Sequence, residues 1–222
     1  MSHVETGDLE NLFAKRTHHR RLLVDDADAA VGSRLGARPP ACLASSVPKC
    51  PRCGGALQYQ FTLAPDVLGA EISGGRSVSM LVCRAFKCRA ESHGLVTPSA
   101  IVFAIHDESP RSDAASELDS VTAGRKLVLG PVVEDLHPET KVVVSSSKLG
   151  GAPGFISNWG EQDAAKVEAN GGGLLMQWSE EMYPRGMKVG PAPFQLGVVY
   201  VFSKVVAGVP TLEDLGAIWQ NT

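Results

Sequence analysis

Cys50-Pro51-Arg52-Cys53-Gly54-Gly55 sets two thiols two residues apart, directly ahead of a pair of glycines. That spacing lets both sulfurs approach one tetrahedral ion from a tight turn. The glycines supply the left-handed backbone the turn needs and bring amide N–H groups toward the thiolates. Cys83 and Cys88 form a second pair with four residues between them, inside the spacing used by structural zinc sites. The implied chemistry is zinc coordination by the thiolates of Cys50, Cys53, Cys83 and Cys88. Such a set leaves no coordination position for water or substrate, so the zinc is read as structural, its binding contributing to folding. The gap from Cys53 to Cys83 exceeds the roughly 15–20 residues usual between the knuckles of a ribbon. A redox dithiol at Cys50 and Cys53, a set of buried free cysteines, and a site with His93 in place of one thiol are the competing readings. Cys42, beside an alanine, reads as a small buried residue.

Other motifs are sparse. The sequence has no Gly-x-Ser-x-Gly elbow, no phosphate-cradling loop ending in Gly-Lys-Ser/Thr and no His-Glu-x-x-His, and Gly171 to Gly173 completes no dinucleotide fingerprint. Asp25-Asp26 and Glu180-Glu181 are chain neighbours, which rarely aim at one atom and read as solvated surface. Trp159, Trp178 and Trp219 read as core or interface anchors. No catalytic residue is assigned.

The chain has 222 residues, 44% hydrophobic and 20% charged, with a net charge of −3. The length fits one large domain or two small ones, with enough core to fold without crosslinks. The slightly acidic balance speaks against a nucleic-acid partner. Acidic residues near the start oppose a secretory signal, and the apolar runs are too short to span a bilayer, so a soluble cytoplasmic protein with no membrane partner is expected. In that reducing compartment cysteines ligate metals more often than they pair.

The elements follow from periodicity. Asp8 before Leu9, Leu12 and Phe13 predicts an amphipathic helix running to about Val24, with Arg16, His18, His19, Arg20 and Arg21 as its solvated face. After the Gly/Pro-rich passage Gly32 to Pro40, strands are expected at Leu57 to Leu63, Val78 to Val82 and Ile101 to Ile105. Gly69, Gly74 and Gly75 supply turns between the first two. The acidic, aperiodic stretch from His106 to Ser120 reads as a linker or loop. Further strands are expected at Lys126 to Leu129, Lys141 to Ser145, Gly171 to Trp178 and Gly197 to Phe202. Thr211 and Asp214 open a predicted C-terminal helix through Leu215, Ile218 and Trp219.

The chain also matches itself. Ser33-Arg34-Leu35-Gly36-Ala37-Arg38-Pro39 parallels Ser147-Lys148-Leu149-Gly150-Gly151-Ala152-Pro153. Downstream, Leu57 to Phe61 parallels Leu174 to Trp178, Pro65 parallels Pro184, and Val78 to Val82 parallels Val198 to Phe202. The fold class expected is α+β, mostly β, with two related halves from an internal duplication and a zinc ribbon inserted in the first. The division is an N-terminal helix in residues 1–30, a first half in 31–105, a linker in 106–125, and a second half with a C-terminal helix in 126–222.

The second half, on its Ser147 to Pro153, Leu174 to Trp178 and Gly197 to Phe202 segments, resembles the bacterial YwqG-like family. The first half, on Cys50 to Leu57, Gln60, Ala64-Pro65 and Leu81 to Cys83, resembles the programmed-cell-death-2/Tsr4 family of zinc-containing chaperones of a ribosomal protein. Together the resemblances cover roughly Ser33 to Ser203. Ala37 departs from the pattern, standing where a second glycine is usual. The resemblances imply no enzymatic activity. They imply a zinc-binding protein-interaction protein, either an immunity protein that neutralises a bacterial toxin by steric binding or a dedicated chaperone of a basic client such as a ribosomal protein. An enzyme using a cleft between the halves is the third reading.

Overall fold

The computed structural model describes residues 10–85, 87–88, 100–115, 124–135, 147–155, 158–179 and 197–220. These residues build an antiparallel, mostly β fold whose single sheet of eleven strands curls into a half-barrel. The strands are β1 (His18–Asp25), β2 (Arg34–Leu35), β3 (Leu57–Leu63), β4 (Ser77–Cys83), β5 (Ile101–His106), β6 (Arg125–Glu134), β7 (Lys148–Leu149), β8 (Gly172–Ser179), β9 (Val198–Val206), β10 (Val209–Pro210) and β11 (Gly216–Gln220). Their order is β10-β9-β8-β7-β1-β6-β2-β3-β4-β5, with β11 on the far side of β9. Short helices α1 (Ala41–Ser45), α2 (Pro65–Leu68) and α3 (Ala70–Ser73) precede and link β3 and β4. The 12-residue α4 (Asn158–Ala169) precedes β8.

The expected strands at Leu57, Val78, Ile101, Lys126, Gly171 and Gly197 are present as β3, β4, β5, β6, β8 and β9. The expected N-terminal helix is corrected. Among the described residues of that stretch only Glu10–Ala14 is helical, as one π-type turn closed by Lys15 N donating to Glu10 O at 2.9 Å. Arg16 then takes φ of +54°, which ends the helix, and 18–25 is a strand. The period of three and four came from Leu9, Leu12 and Phe13, enough for a single turn. Beyond it, pairing to β6 on one side and β7 on the other overrides the helical preference. The basic cluster is correspondingly no solvated face: His19 and Arg20 are buried.

The C-terminal helix is likewise a strand. Thr211 folds back, its N–H donating to Lys204 O at 2.9 Å, and Asp214 adopts φ of +51°, incompatible with a helical first turn. The chain then enters β11, where Ala217 and Trp219 face one apolar cluster and Ile218 the other. A strand buried on both faces has no polar alternation, and its apolar run is easily mistaken for a helix. The described part of the expected linker is tied to the first half: Arg111 pairs with Pro40 and its guanidinium with Asp28 at 2.6 Å. The strand expected at Lys141 to Ser145, Pro184, Glu180-Glu181 and the Trp159 side chain lie outside the described residues.

The sheet reads the same from its centre outward in both directions. β1 and β6 pair with each other; β6 continues to β2, β3 and β4, and β1 to β7, β8 and β9. Leu35 opposes Phe61 and Leu149 opposes Met176. Both β3–β4 and β8–β9 carry one register shift, between Tyr59 and Phe61 and between Leu174 and Met176. The extra residue's carbonyl is bonded alike in each, by Gly36 N to Gln60 O at 2.7 Å and by Gly150 N to Leu175 O at 2.9 Å. The main core fills the space between, where the Phe61 and Trp178 rings meet at 4.2 Å.

Two serines hold matching corners. Ser33 Oγ accepts from Ala64 N and Ser147 Oγ accepts from Ser179 N, both at 2.8 Å, and Ser33 Oγ also donates to Asp66. Both are buried, so alanine at either leaves an amide without its partner. Ser33→Ala and Ser147→Ala are each expected to cost about 1–3 kcal/mol in urea unfolding. Loss at one position only would show the corners to be unequal.

Candidate metal centre

The cysteine turn is built locally. Gly54 N donates to Cys50 O at 2.8 Å and Cys50 N to Gly55 O at 3.0 Å, while Lys49 and Ala56 form a single bridge below them. Gly54 has φ of +68° with open space around its missing Cβ, so glycine is needed there for conformation and not for packing. Gly55 N points at the Cys53 sulfur at 3.4 Å. Cys83 ends β4 opposite Leu57, its N–H donating to Ala100 O at 2.8 Å, and Arg84 N reaches back to Ala56 O at 3.1 Å. These bonds fasten the second pair beside the first.

The sulfurs of Cys50, Cys53, Cys83 and Cys88 all lie within 4.8 Å of one another, and the Cys53 and Cys83 sulfurs are 3.7 Å apart. Sulfur at about 2.3 Å from a tetrahedral zinc requires sulfurs about 3.8 Å apart, so the donor set fits a four-thiolate ion. The strands between the pairs are β3 and β4 of the main sheet, with α2 and α3 between them. This accounts for a gap longer than a free-standing ribbon uses. Cys50, Cys83 and Cys88 are buried and Cys53 is exposed. Cys42, expected to be buried, is exposed on α1, and His93 lies outside the described residues.

The thiols differ sharply in acidity. The Gly55 amide, with the Cys88 and Cys83 thiols after it, brings Cys53 down to about 7. Burial pushes Cys83 up to about 12. Cys88 is raised, first by the Cys53 sulfur beside it and then by burial. Without a cation the cluster resists carrying four charges at once, and a divalent ion relieves that repulsion while displacing the thiol protons.

The centre caps a second apolar cluster. Leu57, Tyr59 and Leu81 on the outer face of β3 and β4 pack with Cys50, Cys83, Cys88 and Ala100, with Leu43 and Val47 over them. On the outer face of β8, β9 and β11, Leu174, Tyr200, Phe202 and Ile218 are covered instead by Ala164 and Val167 of α4. One face is roofed by a regular helix and the other by the cysteine loops. No protein-family model matches this chain, and no curated protein is significantly similar to it.

Sequence reasoning missed a second polar centre. Lys148 is 1% exposed, and its Nζ donates to Asp135 Oδ1 at 2.7 Å and to Ala152 O at 2.5 Å. His19 Nδ1 lies 2.9 Å from the same Asp135 oxygen, and Ala152 N donates to the other at 3.0 Å. Burial opposes ionisation of Asp135, but the bonds from His19 and Lys148 outweigh it and hold the carboxyl below its ordinary range. Burial lowers Lys148, with Asp135 working against that. Gly151 makes the approach possible: its φ is +77°, and a Cβ there would lie 2.0 Å from Asp135 Oδ2. Gly151→Ala is expected to cost at least about 2 kcal/mol, from strain and from displacing the carboxylate, measurable as a lowered denaturation midpoint. The Ser-Lys-Leu-Gly-Gly motif signalled a turn, and nothing in its pattern signalled a buried ammonium.

Proposed function

We propose that this is a non-catalytic protein-binding protein in which Cys50, Cys53, Cys83 and Cys88 hold a structural zinc ion. The observation that carries the reading is the closed set of four sulfurs lying over the outer face of β3 and β4, where the corresponding strands of the other half have a helix. Four thiolates saturate a tetrahedral ion, so the metal contributes cohesion and no reaction. Two related halves from an internal duplication belong to the same proposal. The matched strand order, the paired serine corners and the two equivalent bulges support it, with the β3 and β8 segments aligned two residues, and the β4 and β9 segments one residue, from the match the sequence suggests.

The partner follows from the family resemblances: a toxin that this chain masks as an immunity protein. The position of the cysteine cluster in the half that resembles the programmed-cell-death-2/Tsr4 family favours, as a second reading, a chaperone of a basic client such as a ribosomal protein. Binding is expected to be steric, through an apolar centre with a polar rim. Co-expression separates the two. An immunity protein rescues growth from one cognate toxin and co-purifies with it in fixed stoichiometry, whereas a chaperone raises the soluble yield of a basic ribosomal protein. Failure with both partner classes would remove the protein-binding reading and leave the metal site standing.

A further inference from the structure

The face of β8, β9 and β11 beneath α4 holds a cavity of about 260 Å³ at the C-terminal end of that helix. Val167, Phe202 and Ile218 form apolar walls. Gly172 lies so close under the helix that a Cβ there would meet Val167 Cγ1 at 2.6 Å, so a bare backbone lines that side. Polar groups stand at the mouth: Asn170, Lys204 and Asp214, all exposed. Lys204 is two residues from Phe202 on β9 and therefore points to the same face. Its ammonium pairs with Glu213 at 3.0 Å, and Asp214 adds to the attraction. Asp214 itself makes no hydrogen bond or ion pair among the described residues.

This arrangement sets an apolar slot below one cation and one carboxylate whose oxygens accept no hydrogen bond among the described residues. The volume falls just under the roughly 300–1,000 Å³ of pockets for drug-sized molecules, which restricts the occupant to something smaller. We propose that the cavity binds a small apolar zwitterion, a free amino acid with an aliphatic or aromatic side chain. The side chain lies between Val167, Phe202 and Ile218, the carboxylate meets Lys204, and the ammonium meets Asp214. The carbonyl end of α4, negative in its dipole, adds to the attraction for the ammonium. The site is on the opposite half from the four cysteines and stands apart from the protein-binding reading.

Calorimetric titration of the full chain tests it with L-leucine and L-phenylalanine, alongside isocaproate, which lacks the amine, and isoamylamine, which lacks the carboxylate. At least one amino acid is expected to bind, and each one-ended analogue to bind roughly tenfold more weakly or worse. Lys204→Met and Asp214→Asn, both at exposed positions, should each reproduce that loss with an unchanged circular dichroism spectrum. Glu213→Gln, which releases Lys204, should tighten binding. Absence of binding by both amino acids at about 10 mM would overturn the proposal. Isocaproate binding as tightly as leucine, or undiminished affinity in folded Lys204→Met and Asp214→Asn proteins, would do the same.

Discussion

Cys83→Ser is expected to abolish stoichiometric zinc and lower the melting temperature by about 10 °C. Structural zinc contributes about 10–16 kcal/mol in small peptides that have no other core. Here a main core built around Phe61, Trp178 and Trp219 persists without the metal, so the loss is confined to the cluster around Leu57, Tyr59 and Leu81. A loss of about 3–5 kcal/mol corresponds to the stated shift at roughly 2–4 °C per kcal/mol for a chain of this size. Elemental analysis of the wild-type protein should give one zinc per chain, and chelation should reproduce the variant's melting curve. Cys42→Ser serves as the control, since Cys42 stands outside the cluster, and should change neither quantity. Wild-type protein that purifies without metal and melts identically in chelator would refute the structural role.

Lys148→Met is expected to cost about 3–5 kcal/mol, because it leaves the Asp135 carboxylate buried without its ammonium. Asp135→Asn should cost as much by stranding Lys148. Removing both charges together should cost clearly less than the two separate losses added, since desolvation of each ion is then no longer incurred. Simple additivity in that double-mutant cycle would show that the pair is not coupled. The same centre sets an acid limit. Asp135 is held below its unfolded value, so its contribution is complete above about pH 4 and is lost as pH falls through the lower folded value. Wild-type stability should therefore drop below about pH 4 by more than that of the doubly neutral variant, as read from urea midpoints across the pH range.

The four-cysteine cluster was legible in the sequence because its information is local: two short spacings and the glycines beside one of them. The strands with β-branched and aromatic runs, such as Val198 to Phe202, were legible for the same reason. His18 to Asp25 was not, because it owes its conformation to β6 and β7, far along the chain. Gly216 to Gln220 was not, because, although its partner β9 is close in sequence, it presents buried residues to both faces and so lacks the alternation of a strand. The centre at Lys148 escaped because it joins His19 to Asp135, 116 residues away, through a lysine whose type ordinarily marks the surface. The contrast between the cysteine loops over β3 and β4 and the helix over β8 and β9 is invisible to motif reading altogether. It appears only when the registers of β3–β4 and β8–β9 are laid side by side.

The crossing of β1 and β6 has a kinetic consequence. β1 stands between β6 and β7, and β6 between β1 and β2, so the strands β2, β3 and β4 join β7, β8 and β9 in one sheet through this pair. The central ladder must wait for the chain's distant thirds to meet, which makes assembly slow and all-or-none. A chain cut once between β5 and β6 would leave two fragments clasped together, melting in one transition.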